Sequence, residues 1–123
     1  MTDERLIAIV DDDASLRRSL GNLLGSTGFN VETFASAEAF LAAGKVAAMD
    51  ALVLDVRMPG MSGVDLLVEL GRRASRLPVV VLTAHGDDDV RKQCFRAGAL
   101  AFLTKPFQAK DLLDAIARVT SGE

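Results

Sequence analysis

Short apolar runs alternate along the chain with longer stretches in which apolar residues recur three and four positions apart. Runs of the first kind are typical of β-strands, and stretches of the second kind are typical of amphipathic helices. The strand-like runs are residues 6–10, 30–34, 51–54, 79–82 and 101–104. This pattern predicts five successive βα units. Uninterrupted apolar runs such as 6–10, 51–54 and 79–82 indicate strands buried on both faces of a parallel sheet.

The helix-like stretches carry their own start and stop signals. Asp13 predicts the start of a first helix that runs to about Ser26, with Gly28 as its stop. Ser36 predicts the N-cap of a short second helix that ends at Gly44. The residues expected to face the core from the five helices are Leu16, Leu20, Leu23, Leu24, Phe40, Leu41, Val64, Leu67, Val68, Val90, Cys94, Ala97, Leu112, Leu113, Ile116 and Val119.

Polar side chains follow four of the apolar runs at the point where each run ends. They are Asp11 and Asp12, Asp55, Thr83 and Lys105. Because the carboxyl ends of parallel strands share one edge of a sheet, we expect these residues to converge there. Neighbouring carboxylates repel one another unless a divalent cation or protons neutralise them, so the cluster predicts a metal site. The hydroxyl and the amine suit a phosphoryl group beside that metal.

Acidic residues at strand ends have a second explanation, because they also cap the helix that follows. Asp13 is best interpreted as such a cap, whereas two adjacent acids, Asp11 and Asp12, gain little from capping. The acidic run at residues 87–89 stands at a predicted helix start and is interpreted as solvated capping residues. For His85 two interpretations stay open, a loop side chain or a contributor to the site entrance.

Composition agrees with one small globular domain: the chain has 123 residues, of which 50% are hydrophobic and 25% charged. A lone Cys94 cannot form an internal disulfide, which favours a reduced compartment and a buried small side chain. Residues 1–4 are polar and begin no signal peptide or membrane-spanning segment, so we expect a cytoplasmic protein without membrane contact. The net charge of −3 argues against direct nucleic-acid binding by this chain.

Four motifs carry a resemblance to a known family. They are Asp11-Asp12, the segment DVRMPGMSG at residues 55–63, Thr83-Ala84 and Lys105-Pro106-Phe107. Together they resemble the receiver domain of two-component response regulators, over nearly the whole chain. Residues 36–41 and 83–87 are most similar to the FixJ-type subgroup. The resemblance implies an α/β fold, a doubly wound five-stranded parallel sheet of strand order 2-1-3-4-5, flavodoxin-like and flanked by five helices. Periodicity alone leaves that order open.

The resemblance also implies a role for each site residue. Asp55 is the expected phosphoacceptor, and its carboxylate would act as the nucleophile that forms an acyl phosphate. The expected Mg²⁺ ligands are Asp11, Asp12, Asp55 and the backbone carbonyl of Arg57. The residues expected to contact the phosphoryl group or to switch are Thr83, Ala84, Lys105 and Phe102. For Phe102 ordinary core packing remains an alternative. A cis peptide bond is expected between Lys105 and Pro106.

The implied function is a phosphorylation-controlled switch. A sensor histidine kinase would donate the phosphoryl group, and the domain would catalyse only its own phosphorylation and dephosphorylation, so it is not expected to be an enzyme in the usual sense. Phosphorylation would favour a homodimer through the surface of the fourth helix, fifth strand and fifth helix, or of the first helix and fifth strand. We interpret residues 1–123 as the receiver domain, with a helix-turn-helix output domain for transcription regulation in a longer native chain. A stand-alone receiver is the alternative.

Three other functions were weighed against this one. An aspartate-nucleophile phosphatase would need a second acid two residues after the nucleophile, but Asp55 is followed by Val56 and Arg57. A flavin- or dinucleotide-binding protein would need a phosphate-cradling loop, whereas the acidic residues 11–13 repel phosphate without a cation. A receiver that binds partners without phosphorylation is the strongest rival, although the presence of all five site residues argues against it.

Overall fold

A computed structural model describes residues 5–84 and 88–121, which form five β-strands that alternate with five α-helices. In chain order the elements are β1 (Leu6–Val10), α1 (Ala14–Ser26), β2 (Asn30–Phe34), α2 (Ala37–Ala42), a short 3-10 helix (Val46–Ala48), β3 (Ala51–Asp55), α3 (Gly63–Arg72), β4 (Val79–Ala84), α4 (Asp88–Arg96), β5 (Ala101–Lys105) and α5 (Ala109–Thr120). All strand pairs are parallel, and the sheet has the order β2-β1-β3-β4-β5. The fold expected from the resemblance is confirmed.

The sheet separates two hydrophobic clusters, because successive side chains of a strand point to opposite faces. In β1, Ala8 and Val10 join the cluster under α2, α3 and α4, while Ile7 and Ile9 join the cluster under α1 and α5. The same alternation continues through β3 and β4, whose apolar residues are buried except for Ala84 at the end of β4. Burial on both faces explains why these strands read as unbroken apolar runs.

Short-range hydrogen bonds define where the helices begin. The Asp13 carboxylate accepts from the backbone N–H groups of Ser15 and Leu16, as predicted for the N-cap of α1. The Ser36 hydroxyl accepts from the backbone N–H of Ala39 at the start of α2. These caps satisfy donors that a helix cannot pair internally.

The predicted core-facing stripe of α3 is wrong at one position. The side chain of Val68 is 51% exposed, and the buried residues of this helix are Gly63, Leu66, Leu67 and Leu70. Residues 63, 66, 67 and 70 form one helical face. Because apolar residues also occupy positions 64 and 68, spacing alone did not identify which face packs on the sheet.

The other helices bury the expected sides. The predicted core residues that are fully or nearly fully buried are Leu20, Leu24, Phe40, Leu67, Cys94, Leu112, Ile116 and Val119. Burial raises the pKa of the Cys94 thiol, which lies inside the cluster under α2, α3 and α4. Within the described ranges, no helix has the length and apolar character needed to cross a membrane.

Candidate functional site

The site lies at the carboxyl edge of the sheet, where the ends of β1, β3, β4 and β5 meet. Asp11 and Asp12 directly follow β1, and Asp55 is the last residue of β3. Strand register places Asp55 beside Leu82 of β4, one residue before Thr83. On the other side of β4, Ala84 pairs with Lys105 of β5. The parallel sheet thus brings together residues that are up to 94 positions apart in sequence, from Asp11 to Lys105.

Three carboxylates form the centre of the site. One oxygen from each of Asp11, Asp12 and Asp55 lies within 4.8 Å of the other two. Asp11 is 1% exposed and Asp55 is 7% exposed, whereas Asp12 lies on the solvent side. A cluster of carboxylate oxygens with one open side is the kind of ligand set that Mg²⁺ takes, because this ion prefers oxygen ligands and retains bound water.

Backbone contacts hold Asp11 in place. Its N–H donates to the carbonyl of Phe34, at 3.2 Å, and its Oδ1 accepts from the N–H of Asp13, at 2.9 Å. Its carbonyl accepts from the Arg17 guanidinium at 2.8 Å. The second carboxylate oxygen, Oδ2, is buried and has no hydrogen-bond donor among the residues that the structure describes. A buried carboxylate oxygen without a hydrogen-bond donor, next to two other carboxylates, fits a ligand for a cation.

A single lysine ammonium stands between the two buried carboxylates. The Nζ atom of Lys105 lies 3.7 Å from Asp11 Oδ2 and 3.7 Å from Asp55 Oδ1. The peptide bond that follows, between Lys105 and Pro106, is cis. The ammonium therefore faces both the expected nucleophile and an expected metal ligand.

Thr83 and Ala84 line the same edge. Thr83 is 2% exposed, and within the described part of the chain its hydroxyl has no hydrogen-bond partner. Ala84, the last residue of β4, is exposed. A buried hydroxyl without a partner beside a small exposed side chain leaves a donor available for an incoming anionic group.

Comparison with known proteins decides the family. Residues 7–117 match the family described as the response regulator receiver domain. The chain belongs to this family. Nodulation protein W of Bradyrhizobium diazoefficiens is 42% identical over 118 residues, which are 96% of this chain and 52% of that protein. The transcriptional regulatory protein FixJ of Rhizobium meliloti is 42% identical over 120 residues, 98% of this chain and 58% of that protein.

A solved structure described as FixJ-N superimposes on this receiver domain with a TM-score of 0.89 and 40% identity, covering 100% of this chain and 98% of that one. The resemblance to the FixJ type is thereby confirmed. This receiver domain spans slightly more than half the length of the two curated relatives.

The two buried carboxylates of the site, Asp11 and Asp55, are held in surroundings that disfavour their ionisation. Burial raises the pKa of Asp55 above its usual value, and the charge of Asp11 adds to that effect. Burial is also the main reason that the pKa of Asp11 is raised. The Lys105 ammonium acts in the opposite direction on both groups. A divalent cation would reduce the repulsion among these three carboxylates, which one ammonium neutralises only in part. Receiver domains generally bind Mg²⁺ at an acidic pocket of this kind.

Phe102 lies at the rim of the receiver domain rather than in its centre. Its ring is partly exposed, and its centroid is 6.1 Å from that of Phe95 on α4. The Arg91 guanidinium carbon lies 5.1 Å from the Phe102 centroid. The ring therefore packs against α4. Its position is intermediate between a fully buried core position and a free surface position.

The loop of residues 56–62, which joins β3 to α3, borders the site. The N–H of Arg57 donates to Asp55 Oδ1 over 3.4 Å. A Cβ atom at Gly63, just after the loop, would lie 2.7 Å from the carbonyl oxygen of Asp55, so only glycine permits this close approach. Gly63 belongs to the motif at residues 55–63, but its role could not be predicted. The close approach of its backbone to that of Asp55 leaves no pattern in the sequence.

Two further residues of the receiver domain were not predicted to support the site. Arg17 bonds the carbonyl of Asp11, and the Glu38 carboxylate accepts from the N–H of Met61 in the β3–α3 loop. Neither has a sequence signal, since both contacts join separate elements. Of the acidic run at residues 87–89, Asp88 and Asp89 are exposed in the first turn of α4, and Asp87 lies outside the described residues. His85, for which two interpretations were open, also lies outside them.

Proposed function

We propose that this receiver domain accepts a phosphoryl group on Asp55 from the phosphohistidine of a sensor histidine kinase. An oxygen of the Asp55 carboxylate forms a bond to phosphorus while the phosphorus–nitrogen bond of the donor breaks, and the product is an acyl phosphate. The observation that supports this most directly is the position of Lys105 Nζ, 3.7 Å from both Asp55 Oδ1 and Asp11 Oδ2.

Asp11, Asp12 and Asp55, with the backbone carbonyl of Arg57, are the proposed ligands of Mg²⁺. The cluster of three carboxylate oxygens supports this assignment, as does Asp11 Oδ2, which is buried and accepts no hydrogen bond from the described residues. When bound, Mg²⁺ would neutralise negative charge on the Asp55 carboxylate and on the phosphoryl oxygens. Charge neutralisation of this kind is a principal requirement of phosphoryl transfer. The chain itself orients Asp11 through three hydrogen bonds, so this ligand needs little rearrangement to bind.

Lys105 and Thr83 are the proposed contacts of the transferred group. The Lys105 ammonium is a compact cation that can pair with a phosphoryl oxygen. The Thr83 hydroxyl donates to another, and its buried, unpartnered state among the described residues supports this role. Ala84 leaves room beside them because its side chain is a single methyl group.

The added charge is proposed to act as a switch. Thr83 would move toward the phosphoryl group, and by the resemblance to receiver domains the ring of Phe102 would turn inward with it. The proposed consequence is a shift between two surface states at α4, β5 and α5, or at α1 and β5, with homodimerisation of the phosphorylated form. Because curated relatives such as FixJ are regulators about twice as long, we propose that this cytoplasmic domain controls a separate output such as transcription.

Intact mass measurement after incubation with acetyl phosphate and Mg²⁺ tests the central step. We expect a labile phosphoryl adduct on the wild-type protein and none on Asp55→Asn or on wild type without metal. Circular dichroism of each sample establishes that it is folded. A folded wild-type protein that gains no adduct would contradict the proposal and would favour a phosphorylation-independent interaction module.

A further inference from the structure

The β3–α3 loop is anchored at both of its ends. The N–H of Val56 donates to the carbonyl of Leu82 over 3.3 Å, and the N–H of Gly63 donates back to the carbonyl of Val56 over 2.9 Å. Between these anchors lies Arg57, whose carbonyl is the proposed fourth ligand of Mg²⁺. A backbone ligand cannot be aimed by a rotamer, so its direction depends on how the rest of the loop is held.

The far side of this loop rests on a carboxylate from another element. Glu38 of α2 accepts a hydrogen bond from the N–H of Met61 at 3.1 Å, although the two residues are 23 positions apart. The N–H of Met61 precedes α3 and is not part of a strand ladder, so the Glu38 oxygen satisfies a backbone donor of the loop.

Gly60 brings the loop backbone directly against the same carboxylate. This glycine has a φ of 75°, in the left-handed region. A Cβ atom built there would lie 2.5 Å from Glu38 Oε2, so a side chain at position 60 would displace the Glu38 carboxylate from its present place beside the loop. The turn at Gly60 and the hydrogen bond of Met61 thus place two successive loop residues against the same oxygen, Glu38 Oε2.

The helix that presents Glu38 is itself well anchored. The Ser36 hydroxyl caps it through the N–H of Ala39, at 3.0 Å. Phe40 is fully buried and packs edge to face with Phe34, with ring centroids 5.3 Å apart. Because α2 is short, these two anchors on either side of Glu38 define its position relative to the sheet.

We infer that Glu38 is a positioning residue for the metal site: by holding Gly60 and Met61, it orients the loop that presents the Arg57 carbonyl to Mg²⁺. This inference rests on the proposed function, because it concerns a ligand of the proposed magnesium ion. Glu38 does not touch the metal or the phosphoryl group, and its effect passes through the loop backbone.

Mg²⁺ affinity of purified variants, measured by isothermal titration calorimetry, tests the inference. Glu38→Ala should weaken binding of Mg²⁺ about tenfold, at the lower end of effects seen for residues that support metal ligands. Glu38→Gln keeps an oxygen acceptor for the Met61 N–H and should bind Mg²⁺ nearly as well as wild type. Glu32→Ala removes the same charge from a carboxylate paired with Lys45 and is the matched control, with no expected change.

Amide hydrogen exchange separates positioning from a general loss of structure. We expect faster exchange at Met61 in Glu38→Ala, restored protection in Glu38→Gln, and unchanged exchange in the strands of both variants. Equal Mg²⁺ affinity of Glu38→Ala and wild type would overturn the inference, as would equal weakening by the alanine and glutamine variants. Absence of Mg²⁺ binding by wild type would instead defeat the proposed function, and this inference with it.

Discussion

The guanidinium of Arg91 covers the ring of Phe102, with its central carbon 5.1 Å from the ring centroid. The same guanidinium lies 5.7 Å from the centroid of Phe95, so one cation on α4 contacts two aromatic rings. Phe102 is the residue proposed to turn inward on phosphorylation. The partly exposed ring of Phe102 therefore packs against Arg91 of α4 as well as against the hydrophobic cluster under α2, α3 and α4.

Arg91→Ala should lower the free energy of unfolding by about 1 kcal/mol, because an exposed cation–π contact contributes about that much. Urea denaturation measures the change. Lys92→Ala, which removes the neighbouring exposed cation of the same helix, should leave stability nearly unchanged. In a double-mutant cycle with Phe102→Leu, the effects of the two substitutions should not add. Equal stability of the Arg91 and Lys92 variants would show that the contact contributes nothing.

Asp55→Asn should raise the free energy of unfolding at about pH 7 in the absence of divalent cations, by on the order of 1 kcal/mol. Burial, with the charge of Asp11, raises the folded-state pKa of Asp55 above its usual 3.8. The folded state therefore binds this proton more tightly than the unfolded state does, and wild type loses stability as pH rises from about 4 through the raised pKa. In the asparagine variant, position 55 does not ionise and makes no contribution to this pH dependence.

Urea denaturation at a series of pH values, with a chelator present, measures this difference. The gain in the free energy of unfolding of Asp55→Asn over wild type should be small below about pH 4 and should reach its full size above the raised pKa of Asp55. Asp114→Asn, which removes the same charge at an exposed carboxylate on α5, serves as the control. An advantage of Asp55→Asn that does not change with pH would mean that it does not arise from the ionisation of this carboxylate.

Lys105→Ala should leave Mg²⁺ affinity largely intact, because the ammonium is not a metal ligand. It should weaken the coupling between phosphorylation and dimerisation, since the phosphoryl group loses its expected cation. Sedimentation velocity before and after treatment with acetyl phosphate and Mg²⁺ measures that coupling. The control is Lys45→Ala, at an exposed lysine that pairs with Glu32 and lies outside both proposed dimer surfaces. An undiminished dimer shift in Lys105→Ala would refute the assigned role.

Asp12→Ala should abolish Mg²⁺-dependent phosphoryl labelling, because Asp12 contributes one of the three clustered carboxylate oxygens. Intact mass measurement with acetyl phosphate gives the result directly. Asp13→Ser provides a matched control: it removes a carboxylate from the same loop but keeps an oxygen that can cap α1. Normal labelling of Asp12→Ala would remove this residue from the proposed ligand set.

Much of the site was predictable because it depends on where strands end. Once the apolar runs are assigned to parallel strands, Asp11, Asp55, Thr83 and Lys105 must share one edge of the sheet. The cap at Asp13 was predictable for a similar reason, since a cap acts on backbone groups two and three residues away. Strand order came from the resemblance to receiver domains, because periodicity carries no information about which strands are neighbours.

The predictions that failed or were missing involve packing between elements. Val68 has the apolar character of a core residue but is 51% exposed, because α3 packs on the sheet through Leu66, Leu67 and Leu70. Sequence spacing could not distinguish two apolar faces of one helix. The support of the β3–α3 loop by Glu38 was missing from the sequence analysis because no local pattern relates a helix residue to a loop 23 positions away.

The sequence by itself determined the alternation of strands and helices, the caps that start α1 and α2, and the set of polar residues at strand ends. These features depend on side-chain periodicity and on hydrogen bonds between near neighbours in the chain. The tertiary structure alone decided which face of α3 is buried, that Arg91 covers Phe102, and that Glu38 holds Met61. Such contacts exist only after separate elements have packed, since their distances depend on the arrangement of the whole sheet and its helices.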